Sequence, residues 1–217
     1  MIGFPCRGVA LLVARFLLPV VFCFVCRRLC SQQSGLAFYR AGSYREAIRC
    51  CEEAIAQGSK DLEHYLVLAW ALVAVGKYHE AAQWALEGRA VAAHDPRLIE
   101  AQAEAFCHLG RNEEALRLFQ DYIACAPNGA RQTAAYYLMG EIYLRTSRFL
   151  HADIAFSVAL QLDSLNDFWW ARLGYARERA GDYRYALQAY DRALQLNRDL
   201  ADARRGRERV LRYVFRR

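Results

Sequence analysis

A period of 34 residues constrains this chain more than any single motif, because short equal units must stack to bury a common core. Gly42, Gly76 and Gly110 stand 34 residues apart, the next marker, Ser147, comes after 37, and Gly181 restores the step of 34. Three extra residues between Pro127 and Gln132 account for the one break. Two positions after the markers stand Tyr44, Tyr78, Asn112, Phe149 and Tyr183, and three further on comes alanine every time: Ala47, Ala81, Ala115, Ala152 and Ala186. Cys51, Ala85, Phe119, Phe156 and Tyr190 follow four residues later, then Ala54, Gly88, Tyr122, Ala159 and Ala193 after three more.

Each unit reads as a helix, a tight turn and a second helix. Glycine ends the first helix because a left-handed terminal residue costs least without a Cβ atom. The aromatic after the turn wedges between the paired helices, and the alanine lets their axes approach where they cross. Steps of four and three hold these positions on one buried face of the second helix.

The combined pattern, W-x-x-L-G and then G-x-Y-x-x-A-x-x-x-Y-x-x-A, resembles the tetratricopeptide repeat family. The last copy carries it most fully, in Trp170, Leu173, Gly174, Gly181, Tyr183, Ala186, Tyr190 and Ala193. The copy before it has Tyr136, Gly140, Tyr143, Phe149, Ala152, Phe156 and Ala159, with Ser147 in place of the turn glycine. Earlier copies keep Ala103, Phe106, Gly110, Ala115, Phe119 and Pro127, and Tyr65, Leu68, Ala69, Gly76, Tyr78 and Ala81. The expected fold is an all-α solenoid of about five such repeats, over residues 31–198, with an apolar segment at 1–30 before it and an arginine-rich capping helix at 199–217 after it.

The resemblance implies a right-handed superhelix whose first helices line a concave groove for a protein or peptide partner. Carried onto this sequence, the groove positions are Leu36 and Tyr39; Leu66, Trp70 and Val73; Glu100, Glu104 and His108; Tyr137, Glu141 and Arg145; and Tyr175, Glu178 and Arg179. Tyr137 and Tyr175 are expected to project from this face and to be removable without loss of fold, whereas Tyr183 is expected to be wedged between helices. The lysines, arginines and asparagines with which some family members grip acidic C-termini have no counterpart here, since Gln32, Leu36, Leu66 and Trp70 take their places. Residues 65–75, YLVLAWALVAV, are apolar all round and need cover on a second face. That cover is either another part of the chain or an apolar partner peptide.

Residues 8–26, GVALLVARFLLPVVFCFVC, are apolar except for Arg15 and are flanked by Arg7, Arg27 and Arg28. The uninterrupted stretch from Phe16 to Cys26 is short for a bilayer span, which takes about 20 residues. No small-x-small cleavage pattern follows it. An uncleaved membrane anchor is the favoured reading, beside a cleaved signal and a helix packed on the repeats. Arg27 and Arg28 on one side and Arg7 with the amino terminus on the other leave the orientation open, with the cytoplasmic side slightly favoured.

The formal charge of +6 is concentrated at the end, where eight arginines after Leu196 face Asp199, Asp202 and Glu208, a balance of +5. The body is nearly neutral, which removes the basic face that nucleic-acid binding requires. The arginine-rich end is expected to be a solvated cap, with attraction to anionic lipid as its functional reading. Cys23, Cys26 and Cys30 lie in or beside the apolar segment and read as small apolar residues, not metal ligands. Cys50, Cys51, Cys107 and Cys125 read as core residues, a Cys107–Cys125 pairing staying open. His64, His79, His94, His108 and His151 are scattered without ligand spacing, and no phosphate loop or nucleophile motif is present. The expected role is therefore a non-catalytic interaction scaffold or adaptor, membrane-tethered, without cofactor or metal. The alternative is a soluble, chaperone-like binder of an apolar helix or peptide.

Overall fold

The structure, a computed structural model, describes residues 34–215. Eleven helices and no strand occur among the described residues: α1 (Gly35–Arg40), α2 (Tyr44–Ala56), α3 (Leu62–Ala74), α4 (Tyr78–Val91), α5 (Pro96–His108), α6 (Asn112–Cys125), α7 (Gln132–Arg145), α8 (Phe149–Leu162), α9 (Asp167–Ala180), α10 (Tyr183–Leu196) and α11 (Ala201–Val214). The first ten pair as five antiparallel hairpins stacked in chain order. The apolar segment 8–26, its cysteines and its anchor reading lie outside the described residues. Among the described residues no helix is long and apolar enough to cross a membrane.

The repeating marks become local geometry. Gly42, Gly76, Gly110 and Gly181 have φ between +74° and +85°, and the following N–H returns to the carbonyl five residues back, as Ser43 to Phe38 and Asp182 to Arg177. Ser147 takes the same left-handed conformation at φ +57°, so the turn survives where the glycine does not. Ser34, Asp61, Asp95 and Asn166 cap first helices by accepting from backbone N–H groups of the first turn. Helix α7, which follows the three-residue insertion, starts at Arg131 without a side-chain cap.

Ala47, Ala81, Ala115, Ala152 and Ala186 are all fully buried, in agreement with their expected place at the helix crossings. Within a hairpin a small residue on the first helix faces the residue four after that alanine: Gly35 faces Cys51, Gly140 faces Phe156 and Gly174 faces Tyr190. A Cβ on Gly174 would stand 2.8 Å from the Tyr190 ring, so the large aromatic and the missing side chain are one packing unit.

Six of the 13 residues of α3 are buried: Leu66, Val67, Leu68, Ala69, Ala71 and Leu72. Its neighbours α1, α2, α4 and α5 cover it from several sides, so much of the apolar excess of residues 65–75 is satisfied within the stack. Cys107 and Cys125 are separate thiols, which closes the pairing left open by the sequence, and Cys125 is exposed, so it is not the core residue the sequence suggested. Burial pushes the Cys51 thiol up to about 12, consistent with a core role.

Helix α11 begins and ends 34 residues after α9, so it is the first helix of a sixth unit as well as a cap. It buries Ala203, Gly206 and Val210 against α10, and its Tyr213 ring stacks on Tyr183 at 4.6 Å. Four of its arginines, Arg204, Arg205, Arg207 and Arg209, pair with Asp199, Asp202, Asp191 and Glu178.

Candidate partner-binding groove

Successive first helices touch one another (α1 with α3, α3 with α5, α5 with α7, α9 with α11), whereas successive second helices do not approach to a comparable extent. The stack therefore closes towards the first helices, and their shared face is the concave one. The positions named from sequence all lie on these helices, but they are not equivalent.

At the N-terminal end the face is aromatic. Tyr39 packs against Tyr44 at 5.5 Å and Trp70 at 5.8 Å, and Leu36 and Val73 are half-buried beside them. Leu66, expected on the groove surface, is buried and belongs to the core.

In the middle lies an acidic pair. Glu100, also expected on the surface, is fully buried, while Glu104, one helical turn on, is partly exposed. Arg131, in the inserted loop before α7, joins them: its Nε donates to Glu100 Oε1 at 2.9 Å and its Nη2 to Glu104. Burial raises the Glu100 carboxyl to about 7, with Arg131 opposing the shift and Glu104 adding to it. Glu100 Oε2 and Trp70 Nε1 are both buried without a hydrogen bond of good geometry, although the indole lies near enough to lower the Glu100 pKa slightly.

The C-terminal half alternates rings with ion pairs. Tyr137 stacks on Trp169 of the next first helix at 5.0 Å and touches Phe156 at 5.8 Å, so it ties α7 to α8 and α9. Truncating it would therefore disturb the fold, which corrects the expectation of a freely removable ring. Glu141 receives two hydrogen bonds of 2.6 Å from Arg172. Tyr175 accepts from Arg179 at 2.8 Å, and Arg179 also lies 4.6 Å over the Phe149 ring. Glu178 binds Arg209 through both oxygens and accepts from the Tyr190 hydroxyl at 2.6 Å. A cavity of about 190 Å³ opens here, lined by Phe168, Ala171, Arg172, Tyr175, Tyr190, Asp202, Arg205 and Arg209.

His108 and Arg145 sit at the seams between copies. The His108 ring stacks on Tyr78 at 4.4 Å, as Arg179 lies on Phe149 and Tyr213 on Tyr183. Asn112 offers no ring at the equivalent place, and Arg145 turns instead to the Cys107 carbonyl and thiol. Sequence reasoning missed Arg131, Trp169, Arg172 and Arg209. The insertion itself was the signal for Arg131, and the glutamate-to-arginine spacing of 31 residues shared by Glu141–Arg172 and Glu178–Arg209 was the signal for the other two arginines.

A curved stack of helical hairpins, with a lined inner face, defines the class as a helical repeat protein of the α-solenoid type. A model of the tetratricopeptide repeat family matches residues 34–137, just under half of the chain, and the same turn and alanine pattern continues beyond it to Ala193. Anaphase-promoting complex subunit 3 of Schizosaccharomyces pombe is 36% identical over 81 residues, which are 37% of this chain and 12% of that protein. Among solved structures, MamA from Desulfovibrio magneticus RS-1 superposes with a TM-score of 0.67 at 22% identity, covering 77% of this chain and 93% of that one. YrrB, described as a TPR protein with an unusual peptide-binding site, gives 0.66 at 15% identity over 76% of this chain and 83% of its own. At these identities the two structures show a shared fold.

Proposed function

We propose that this chain is a non-catalytic scaffold that holds an extended or helical segment of a partner protein in the concave groove. The observation that carries the reading is the side-chain content of that face. Half-buried rings at Tyr39, Trp70, Tyr137 and Tyr175 alternate with charged groups held in place by partners on neighbouring copies. Rigid aromatics with polar tips contact a peptide at low entropic cost, and pre-paired charges need no reorganisation to set its register. The peptide-binding site named for YrrB lends support by likeness of fold. We assign residues 8–26 as the tether that keeps this scaffold at a membrane, on the strength of their apolar content.

Panning a random peptide phage library on the full-length chain tests the groove. Enriched peptides should lose about tenfold in affinity, roughly 1.4 kcal/mol, on the double change Tyr175→Ala with Arg179→Ala, whose side chains bond to each other. Peptides indifferent to that change would move the site to another face. Fractionation tests the tether: the full chain should require detergent for release, and polar replacement of Leu17, Leu18, Val20 and Val21 should free it. Equal behaviour of the two proteins would discard the tether and favour the untethered, chaperone-like binder.

A further inference from the structure

We propose that the space between Glu100 and Glu104 is a subsite for an arginine side chain of the bound partner, and that Arg131 is its resident competitor. The proposal rests on the groove reading and adds the chemistry of one position within it.

Three observations meet here. Glu100 and Glu104 occupy neighbouring turns of α5 on the concave face, between the aromatic and the ion-paired halves of the groove. Glu100 is fully buried, and Arg131 reaches only its Oε1, leaving Oε2 with no hydrogen bond of good geometry and the Trp70 indole as its near neighbour. The third is where the occupant comes from. Glu141 and Glu178 are held by Arg172 and Arg209, which stand within helices, whereas Arg131 comes from the inserted loop.

The chemistry selects guanidinium over ammonium. The two carboxylates are reached by two different nitrogens of one planar group, Nε on Glu100 and Nη2 on Glu104, a two-pronged arrangement that a guanidinium presents and a point-like ammonium does not. A fully buried carboxylate beside a second one either takes up a proton or holds a cation, so when Arg131 leaves, an arriving guanidinium competes with a proton for Glu100. The Arg131 side chain is 43% exposed, and the loop that carries it lies at the junction where α6 and α7 touch least of any consecutive helices. The side chain can swing out while the Arg131 backbone N–H stays on the Tyr122 hydroxyl. The groups facing the site are Trp70 from α3, Glu100 and Glu104 from α5, Tyr122 from α6, Arg131 and, through its coulombic influence, Tyr39 from α1.

The probe is a fluorescein-labelled Gly-Arg-Gly-Arg-Gly amide titrated onto the full-length chain in mild non-ionic detergent, with the lysine counterpart as comparison. Arg131→Ala should tighten arginine-peptide binding at least tenfold over the unaltered chain, with a smaller gain for the lysine peptide. Glu104→Gln on that background should remove the gain. Arg131→Gln, which keeps a hydrogen-bonding side chain in the loop, should give a partial gain and serves if the alanine variant does not fold. Equal binding by the unaltered chain and either Arg131 variant, or a gain that survives Glu104→Gln, overturns the proposal. Loss of the phage-selected peptides on Tyr175→Ala with Arg179→Ala would still stand in that case, so the groove reading is judged separately.

Discussion

Glu100 places a titratable group where water does not reach, and its ion pair with Arg131 does not fully compensate. Its carboxyl is raised from 4.5 to about 7, so between those values the folded chain holds a proton that the unfolded chain has released. The sign follows: this group's contribution to stability is fully present below pH 4.5 and is lost as pH rises from there through about 7. Glu100→Gln keeps an acceptor for Arg131 and removes the titration. Thermal melts from pH 5 to pH 8 should show a downward slope in the unaltered chain that the variant lacks, a difference on the order of 1 to 3 kcal/mol across the range. Parallel melting curves would mean that Glu100 titrates normally. At Ala186 the issue is volume instead: it is fully buried at the crossing of α9 and α10, and Ala186→Leu should cost about 1 to 3 kcal/mol through overpacking, read from chemical denaturation.

Among the elements, α11 shows how far the sequence was legible. Its apolar positions and arginines identified a cap, and they missed that its register continues the repeat, because the marker place, Phe215, carries neither glycine nor serine. The five hairpins were legible because turn glycines and crossing alanines answer to local backbone and packing demands that recur in every copy. The groove was legible as a face but not as a set of contacts. Which charges pair depends on how closely neighbouring copies approach, and no spacing within one copy reports that. Arg131 and Arg172 show it, each sitting 31 residues after the glutamate it bonds. Deleting residues 200–217 should uncover Tyr190, Tyr183 and Ala193 and leave Glu178 without Arg209. Removing so much cover from the last hairpin should lower stability by several kcal/mol, at roughly 25 cal/mol per Å² of apolar surface exposed. A melting temperature unchanged by the deletion would show that α11 only rests on the stack.

The whole molecule is divided unequally by its one insertion. Tyr122 stands where the other copies have alanine or glycine, its ring is buried, and the longer loop folds over it so closely that a Cβ on Gly129 would strike the phenol oxygen. The Arg131 N–H donates to that same oxygen at 3.1 Å. Helix α7 is thereby held away from α6, and the units on either side pack more fully within themselves than across the gap. In a chain whose units interact with nearest neighbours, the weakest interface sets where cooperativity fails. Tyr122→Ala should therefore cost about 3 to 5 kcal/mol and split the denaturation profile in two, with hydrogen exchange of residues 34–125 and 132–214 no longer rising together. A single transition for that variant would mean that the two parts are coupled through the groove-side contacts alone. The insertion also sets a condition on any long ligand. The inner face works as two combs joined at a wider gap, with teeth on α1, α3 and α5 and again on α7, α9 and α11, since α5 meets α7 less than α1 meets α3 or α3 meets α5. A straight segment with evenly spaced side chains can mesh with either comb, but one that meshes with both must carry a bend or a spacer at its middle.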